Sequence, residues 1–273
     1  LGFRPGTIAV IYFVSLINSF DVGPLSISLV FNIFGYLGVL FFYAAVIKVV
    51  DSWSNVRLIF IKLLFLLPSM HFWTSGIGKD SLFFFSVGLL IYTSMNISRN
   101  FILILLIISI MILVRPHMAG VLIISLSLSL IFLKSISLIF RVGILIISLG
   151  MTSLIVPFGL MYAGVEGGVS GVDAYIESRE TKNISGGSSI DLTSMSAPEK
   201  FFSYLFRPLP YEAGGVSQLL ASIDNLILLV ILFYAIICRV KYKKYKHNFS
   251  LEILLFYALG SLSILSFTSA NLG

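Results

Sequence analysis

Charged residues are scarce in this sequence. Asp, Glu, Lys and Arg make up 11% of its 273 residues, against 58% hydrophobic. An ordinary soluble domain carries about a quarter charged residues. A chain this poor in charge cannot cover a water-facing surface, so lipid is its expected solvent. There is one cysteine, Cys238, which excludes an intrachain disulfide framework. No Cys/His cluster has metal-ligand spacing, so neither a metal nor a cofactor is expected. Walker A, G-x-G-x-x-G, H-E-x-x-H and G-x-S-x-G patterns are missing, which argues against a nucleotide motor, a Rossmann site, a zincin protease and an α/β-hydrolase. The alternating polarity of a membrane β-barrel is missing too.

What the chain does have is long apolar runs, and its mean hydropathy is +1.04. Runs of about 17–25 apolar residues are what a helix needs to cross hydrocarbon. The expected fold is therefore all-α, a polytopic helical bundle with about nine spans. They fall near 5–20, 25–48, 57–72, 81–97, 100–114, 118–133, 139–162, 216–238 and 250–269. The run from Arg239 to His247 is the most basic in the chain, and cytoplasmic loops are enriched in Lys and Arg. Placing it inside puts Arg4, Lys48, Arg57, Lys62, Arg99, Lys134 and Arg141 inside as well. Lys79, Arg115, Arg179, Lys182, Lys200 and Arg207 then lie outside. The net charge of +6 follows from this sidedness, and no nucleic-acid partner is expected.

The whole of 1–273 reads as a single transmembrane domain with one long extracytoplasmic loop at 162–215. That loop is rich in Gly and Ser and holds Glu166, Asp173, Glu177, Glu180, Asp191 and Glu199. Its composition favours a flexible lid, with a short amphipathic helix near Pro198–Tyr204. The chain begins at Leu1 and stops just after an apolar run, which reads as a piece of a longer protein.

Four outside segments carry the candidate chemistry. In Pro68–Asp80, a proline and two glycines make a tight hairpin. Lys79 can hold a phosphate as a point charge. His71 can join it, Trp73 suits the interfacial aromatic belt, and Asp80 suits a helix cap. The second segment is Arg115-Pro116-His117. Residues 100–114 and 118–133 span only about 22 and 24 Å as helices, while the hydrocarbon is about 30 Å thick. The tip should therefore sit below the outer surface, where a charge usually faces a cavity or a partner. His117 is a general base near neutral pH or a polar cap. The third segment is Arg207-Pro208-Leu209-Pro210-Tyr211-Glu212. Its prolines fix the directions of Arg207, suited to bidentate phosphate recognition, and Glu212. Glu212 is a base, a partner for Arg207, or a cap for the helix that follows. The fourth is Asp21 with Asp224, the latter either lining a polar interior or making an interhelical hydrogen bond with Asn225 or a serine.

At these segments, and at the terminal Ala270-Asn271-Leu272-Gly273, the chain resembles bacterial O-antigen and exopolysaccharide polymerases, the Wzy-like and EpsG-like membrane proteins. The spaced Arg-to-Gly loop patterns of the O-antigen type are not found. The resemblance implies transfer of a growing glycan between polyprenyl-pyrophosphate-linked oligosaccharides at the outer face of the bacterial cytoplasmic membrane. Other polysaccharide-assembly membrane proteins are the implied partners. Outward-facing arginines hold the pyrophosphate in that family, a role that maps onto Arg115 and Arg207. Lys79 and His71 would assist them, Glu212 or His117 would take the proton from the attacking hydroxyl, and Trp73 and Tyr211 would stack on sugar rings. Two alternatives stand beside this one. The first is a glycosyltransferase using a polyprenyl-phosphate sugar, with Asp21 as its carboxylate. The second is a transporter of lipid-linked sugars.

Overall fold

Proline sets several of the helix boundaries. Leu67, Arg115, Arg207 and Leu209 each precede a proline, whose ring disfavours the helical region for the residue before it. Arg115 accordingly lies at φ −146°, ψ 80°, and Leu67 at φ −60°, ψ 126°. Pro68 and Pro116 open the next helices at a position where the N–H they lack has no intrahelical partner anyway.

The computed structural model describes residues 5–50, 55–132, 137–163, 171, 195–241 and 248–268. Its helices are α1 (Thr7–Asn18), α2 (Pro24–Val50), α3 (Asn55–Phe65), α4 (Pro68–Ser75), α5 (Lys79–Ser94), α6 (Ile97–Val114) and α7 (Pro116–Ile131). After these come α8 (Leu138–Ala163), α9 (Ala197–Phe206), α10 (Val216–Lys241) and α11 (Phe249–Thr268). A 3₁₀ turn, Pro210–Glu212, links α9 to α10. No strand occurs among the described residues.

Five stretches are long and apolar enough to cross a bilayer: Pro24–Val49, Leu58–Ser75, Leu138–Ile155, Val216–Ile237 and Phe249–Ser266. Thr7–Asn18, Arg99–Val114 and Pro116–Ile131 are apolar but shorter. The all-helical, multi-pass character expected from the sequence is present, and among the described residues five of the expected nine spans meet the length and hydropathy of a membrane crossing. Large apolar side chains such as Ile102 (76% exposed) and Leu154 (76%) point outward, as they do when lipid is the solvent.

Two expected spans differ in detail. The run at 57–72 is not one continuous helix, because Pro68 separates α3 from α4. The run at 5–20 was expected to begin at the face opposite Arg115. Instead the Gly6 N–H donates to the Leu113 carbonyl at 2.7 Å, beside Arg115. At 12 residues α1 is about 18 Å long. Its Val10 packs with Ile27, Phe31, Leu82 and Val114, so it stays near the Arg115 end of the bundle. Arg4, Lys134 and the acidic residues of the long loop up to Asp191 lie outside the described residues.

The other end of the bundle is marked by Lys48, whose Nζ donates to the Tyr92 hydroxyl at 3.2 Å. Arg141 donates to the Ile131 carbonyl at 3.0 Å, and Ser94 to Ser250 at 2.8 Å, at that same end. Lys48 and Arg141 are thus separated from Lys79 and Arg115 by the length of α5 and α7, as the charge pattern predicted. Between the two ends α2 lies alongside α5, and α11 packs on both α5 and α7 around Leu90, Ile107, Met111, Leu122 and Ile253. α2 and α5 approach very closely. A Cβ on Gly88 would fall 2.2 Å from the Gly38 carbonyl oxygen, and one on Gly38 2.7 Å from the Phe85 backbone. Small residues at such a crossing let backbones meet where lipid supplies no hydrophobic drive between helices.

The break at Pro68 leaves backbone groups that lipid cannot satisfy. Asp224, 4% exposed on α10, accepts from the Ser69 N–H at 2.8 Å. His71 Nε2 lies 2.8 Å from the Phe65 carbonyl oxygen. Asp224 is therefore an interhelical anchor, bound to backbone rather than to a side chain. Asp224→Ala should destabilise the detergent-solubilised protein by about 2 kcal/mol, because the part-buried Ser69 N–H at the helix break is left without a partner. Asp224→Asn, which keeps an acceptor oxygen, should lose less. Thermal unfolding of the two variants checks this, and equal stability of Asp224→Ala and the unaltered protein would remove the anchor.

Candidate functional site

The tip between α6 and α7 is one residue long, because Pro116 forces Arg115 out of helical geometry. Arg115 is held in place by its own N–H, which donates to the Met111 carbonyl at 2.7 Å. Its Nη2 donates to Asp80 Oδ1. Its Cζ lies 5.0 Å from the Phe83 ring centroid, a cation–π contact. The Arg115 side chain is 23% exposed and that of Asp80 47%, so the cation is sheltered and its counter-ion faces outward. Asp80 had been expected as a helix cap. Gly78 is the N-cap of α5 and has no side-chain bond, while Asp80 reaches across to Arg115 instead.

Lys79 and His117 belong to the same cluster. Burial, then the positive charges of Arg115 and Lys79, push the His117 imidazole down to about 4. His117 sits at the tip, outside the apolar run 118–133, and is neutral at pH 7. Lys79 Nζ also lies beside the N-terminal end of α1, 3.7 Å from where a Cβ on Gly6 would stand.

The amphipathic helix expected near Pro198–Tyr204 is α9. It starts with a capping box, Ser196 and Glu199, in which the Ser196 N–H donates to Glu199 Oε2 at 2.7 Å. α9 packs on α10 and α11. Burial raises the Tyr204 phenol; Arg115 opposes that and Asp80 adds to it, so Tyr204 lies within electrostatic reach of the pair. Neither Tyr204 nor Phe83 carried a sequence signal, since each reaches Arg115 through helix packing between distant segments.

Arg207 and Glu212 form a separate clasp after α9. Arg207 Nη2 lies 2.7 Å from Glu212 Oε1, and Arg207 Nε donates to Oε2 at 3.0 Å. The Leu209 N–H also donates to Oε2, at 2.9 Å. Burial works against the Glu212 charge, but the bonds from Arg207 and Leu209 outweigh it and hold the carboxyl below its usual value. Of the three roles open to Glu212, pairing with Arg207 is the one seen. A carboxyl lowered by folding stabilises the fold fully above its ordinary pKa and ceases to do so as pH falls through the lowered value. Acidification below the carboxylate range should therefore loosen the α9–α10 connection by about 1 kcal/mol. Limited proteolysis at the 195–215 segment should speed up at low pH in the unaltered protein, and less so in Glu212→Gln. Identical pH profiles would contradict the clasp.

The remaining candidates lie apart from the Arg115 cluster. Trp73 (57% exposed) sits on α4 edge-to-face with Phe72, and Tyr211 (82%) sits on the 3₁₀ turn. His71 is occupied with the Phe65 carbonyl oxygen. Asp21 is exposed in the α1–α2 turn at φ 54°. The structure thus brings together Lys79, Arg115 and His117, with Asp80, Phe83 and Tyr204. Arg207 follows Tyr204 by three residues, and Glu212 lies in the 3₁₀ turn beyond it. Among the described residues no group of three or more His, Cys, Asp or Glu is placed to hold a metal. Among the described residues this cluster sets two cations and a neutral imidazole beside the Asp80 carboxylate, and it can accept an anionic group that displaces Asp80 or shares Arg115 with it. Compared with protein-family models, curated proteins and solved structures, the chain matches none.

Proposed function

We propose that this protein polymerises polyprenyl-pyrophosphate-linked oligosaccharide units by glycosyl transfer at the outer face of a bacterial cytoplasmic membrane. The observation that carries the reading is the sheltered Arg115, with Lys79 and neutral His117 at its side, at the end of the bundle away from Lys48 and Arg141. A cation fixed against an aromatic ring and a single outward carboxylate is preorganised for negative charge that develops on a leaving group. In this scheme Arg115 and Lys79 neutralise the pyrophosphate as the glycosidic bond breaks. Arg207 adds charge from the α9 side once Glu212 releases it. His117 or Glu212 takes the proton of the attacking hydroxyl. His117 has its lone pair available at neutral pH, whereas Glu212 must first leave its clasp.

The test is the surface-glycan ladder of a host carrying Arg115→Ala or Arg207→Ala at unaltered membrane abundance. Loss of long chains with single units still made supports a polymerase. An intact ladder in both removes the arginines from the chemistry, and loss of even the single unit points to an earlier step.

A further inference from the structure

Most buried hydroxyls in this protein are satisfied along their own helices. Ser86 donates to the Leu82 carbonyl at 2.8 Å, Ser125 to Val121 at 2.7 Å and Ser129 to Ser125 at 2.8 Å. Back-bonding of this kind is the expected answer where no water competes. Among the described residues four buried hydroxyls have no partner: Thr152, Tyr257, Ser261 and Ser266. Three of them are on α11. A buried hydroxyl left unpaired is costly, and an isolated case in a native fold asks what occupies it.

Tyr257 is the informative one. It is 6% exposed, and its ring lies 6.4 Å from the Phe83 ring, the same ring that carries Arg115. Its phenol lies within electrostatic reach of Arg115. Ser261 stands one turn further along the same face of α11. The two hydroxyls are close across that turn, yet neither meets the other in hydrogen-bonding geometry. α11 also packs against α5 and α7, which carry Lys79, Asp80 and His117, and against α9, which carries Tyr204. Two hydroxyls without a hydrogen bond thus share the face of α11 that meets the Phe83 ring under Arg115, and what suits both is an acceptor with several oxygens.

We propose that Tyr257 and Ser261 are binding residues of the Arg115 site, donating their O–H groups to oxygens of the phosphate that Arg115 holds. This rests on the reading given under Proposed function, with pyrophosphate as the anionic group. The hydroxyls would fix the orientation of the anion while Arg115 and Lys79 supply the charge. A hydrogen bond to a charged group is stronger than one between neutral groups, so losing one is measurable.

The experiment titrates the purified full chain in detergent with inorganic pyrophosphate and follows thermal unfolding. Tyr257→Phe removes an orphan donor from the free protein, so its ligand-free Tm should not fall. Its apparent Kd for pyrophosphate should rise about tenfold. Ser261→Ala, which keeps the ring packed, should shift in the same direction, and it carries the test should Tyr257→Phe fold poorly. Arg115→Ala should abolish the response. If both hydroxyl variants bind as the unaltered protein does while Arg115→Ala does not, the hydroxyls face only a buried water and this inference is overturned, with the site intact. If Arg115→Ala binds normally, or the unaltered protein does not respond, the anion-site reading itself fails and this inference goes with it.

Discussion

Under the proposed glycosyl transfer, Arg115→Ala should lower polymer formation by about two to three orders of magnitude, the usual loss when one preorganised donor to developing negative charge is removed. The side chain is 23% exposed, lies over Phe83 and is positioned by a one-residue tip, a geometry that Lys79 does not share. Arg115→Lys keeps the charge but not the planar fork, and the two are not interchangeable at a bidentate or stacked site. It should therefore lose most of the activity too. Counting repeat units on a surface-glycan gel, at matched protein abundance, reads both variants. Full-length ladders from Arg115→Lys would mean that only charge matters at this position. An Asp21→Asn variant separates the alternatives: if it abolishes product while Arg115→Ala does not, transfer from a polyprenyl-phosphate sugar is the better reading.

The second large effect concerns assembly rather than chemistry. Gly88→Ala should cost about 3 kcal/mol, toward the upper end for overpacking a tight contact, because its Cβ would sit 2.2 Å from a backbone oxygen. A backbone atom cannot rotate aside as a side chain can, so α2 and α5 must separate. Gly38→Ala meets the Phe85 backbone at 2.7 Å and should behave alike. Gly143 on α8 has nothing within 4 Å, which makes Gly143→Ala the control. It should be neutral or stabilising, since alanine holds a helix better than glycine. Membrane abundance and detergent Tm of the three variants check this. A tolerated Gly88→Ala would mean that α2 and α5 are not in contact as described.

How far the sequence foretold this depends on which physical signal each feature leaves in a single chain. The Arg115 tip was legible, because Arg-Pro breaks a helix whatever surrounds it. The division of Lys48 and Arg141 from Lys79 and Arg115 was legible, because basic residues that end apolar runs fall at opposite ends of the helices between them. The short amphipathic helix near Pro198–Tyr204 was legible and is α9, while its capping box of Ser196 and Glu199 was not read from the sequence. α1 differs from its expected course, because a short, mostly apolar helix looks the same whether it crosses or lies against the bundle. What placed α1 was the bond from Gly6 to Leu113, a contact with no trace in composition. The break at Pro68 was visible as a helix end but not as an interruption within one passage, since its repair depends on Asp224 from a helix 155 residues away. The local position of Asp80 in α5 suits a cap, yet its partner is 35 residues further on. The unpaired hydroxyls of α11 were invisible, because most serines in the same composition are satisfied along their own helices.

The hairpin construction of the site has an electrostatic consequence. A helix carries about half an elementary positive charge at its start and half a negative charge at its end. The Arg115 tip joins the end of α6 to the start of α7, and the Gly76–Gly78 turn joins the end of α4 to the start of α5. Each turn therefore presents one positive and one negative terminus side by side. The fields of these four peptide arrays largely cancel at the cluster, so the backbone contributes little net attraction there. Among the described residues the pull on an anion at this cluster comes from Arg115 and Lys79, with Asp80 opposing it. The local potential should then change sign with the loss of one or two side chains, which makes anion capture at this end of the bundle unusually sensitive to single charge substitutions.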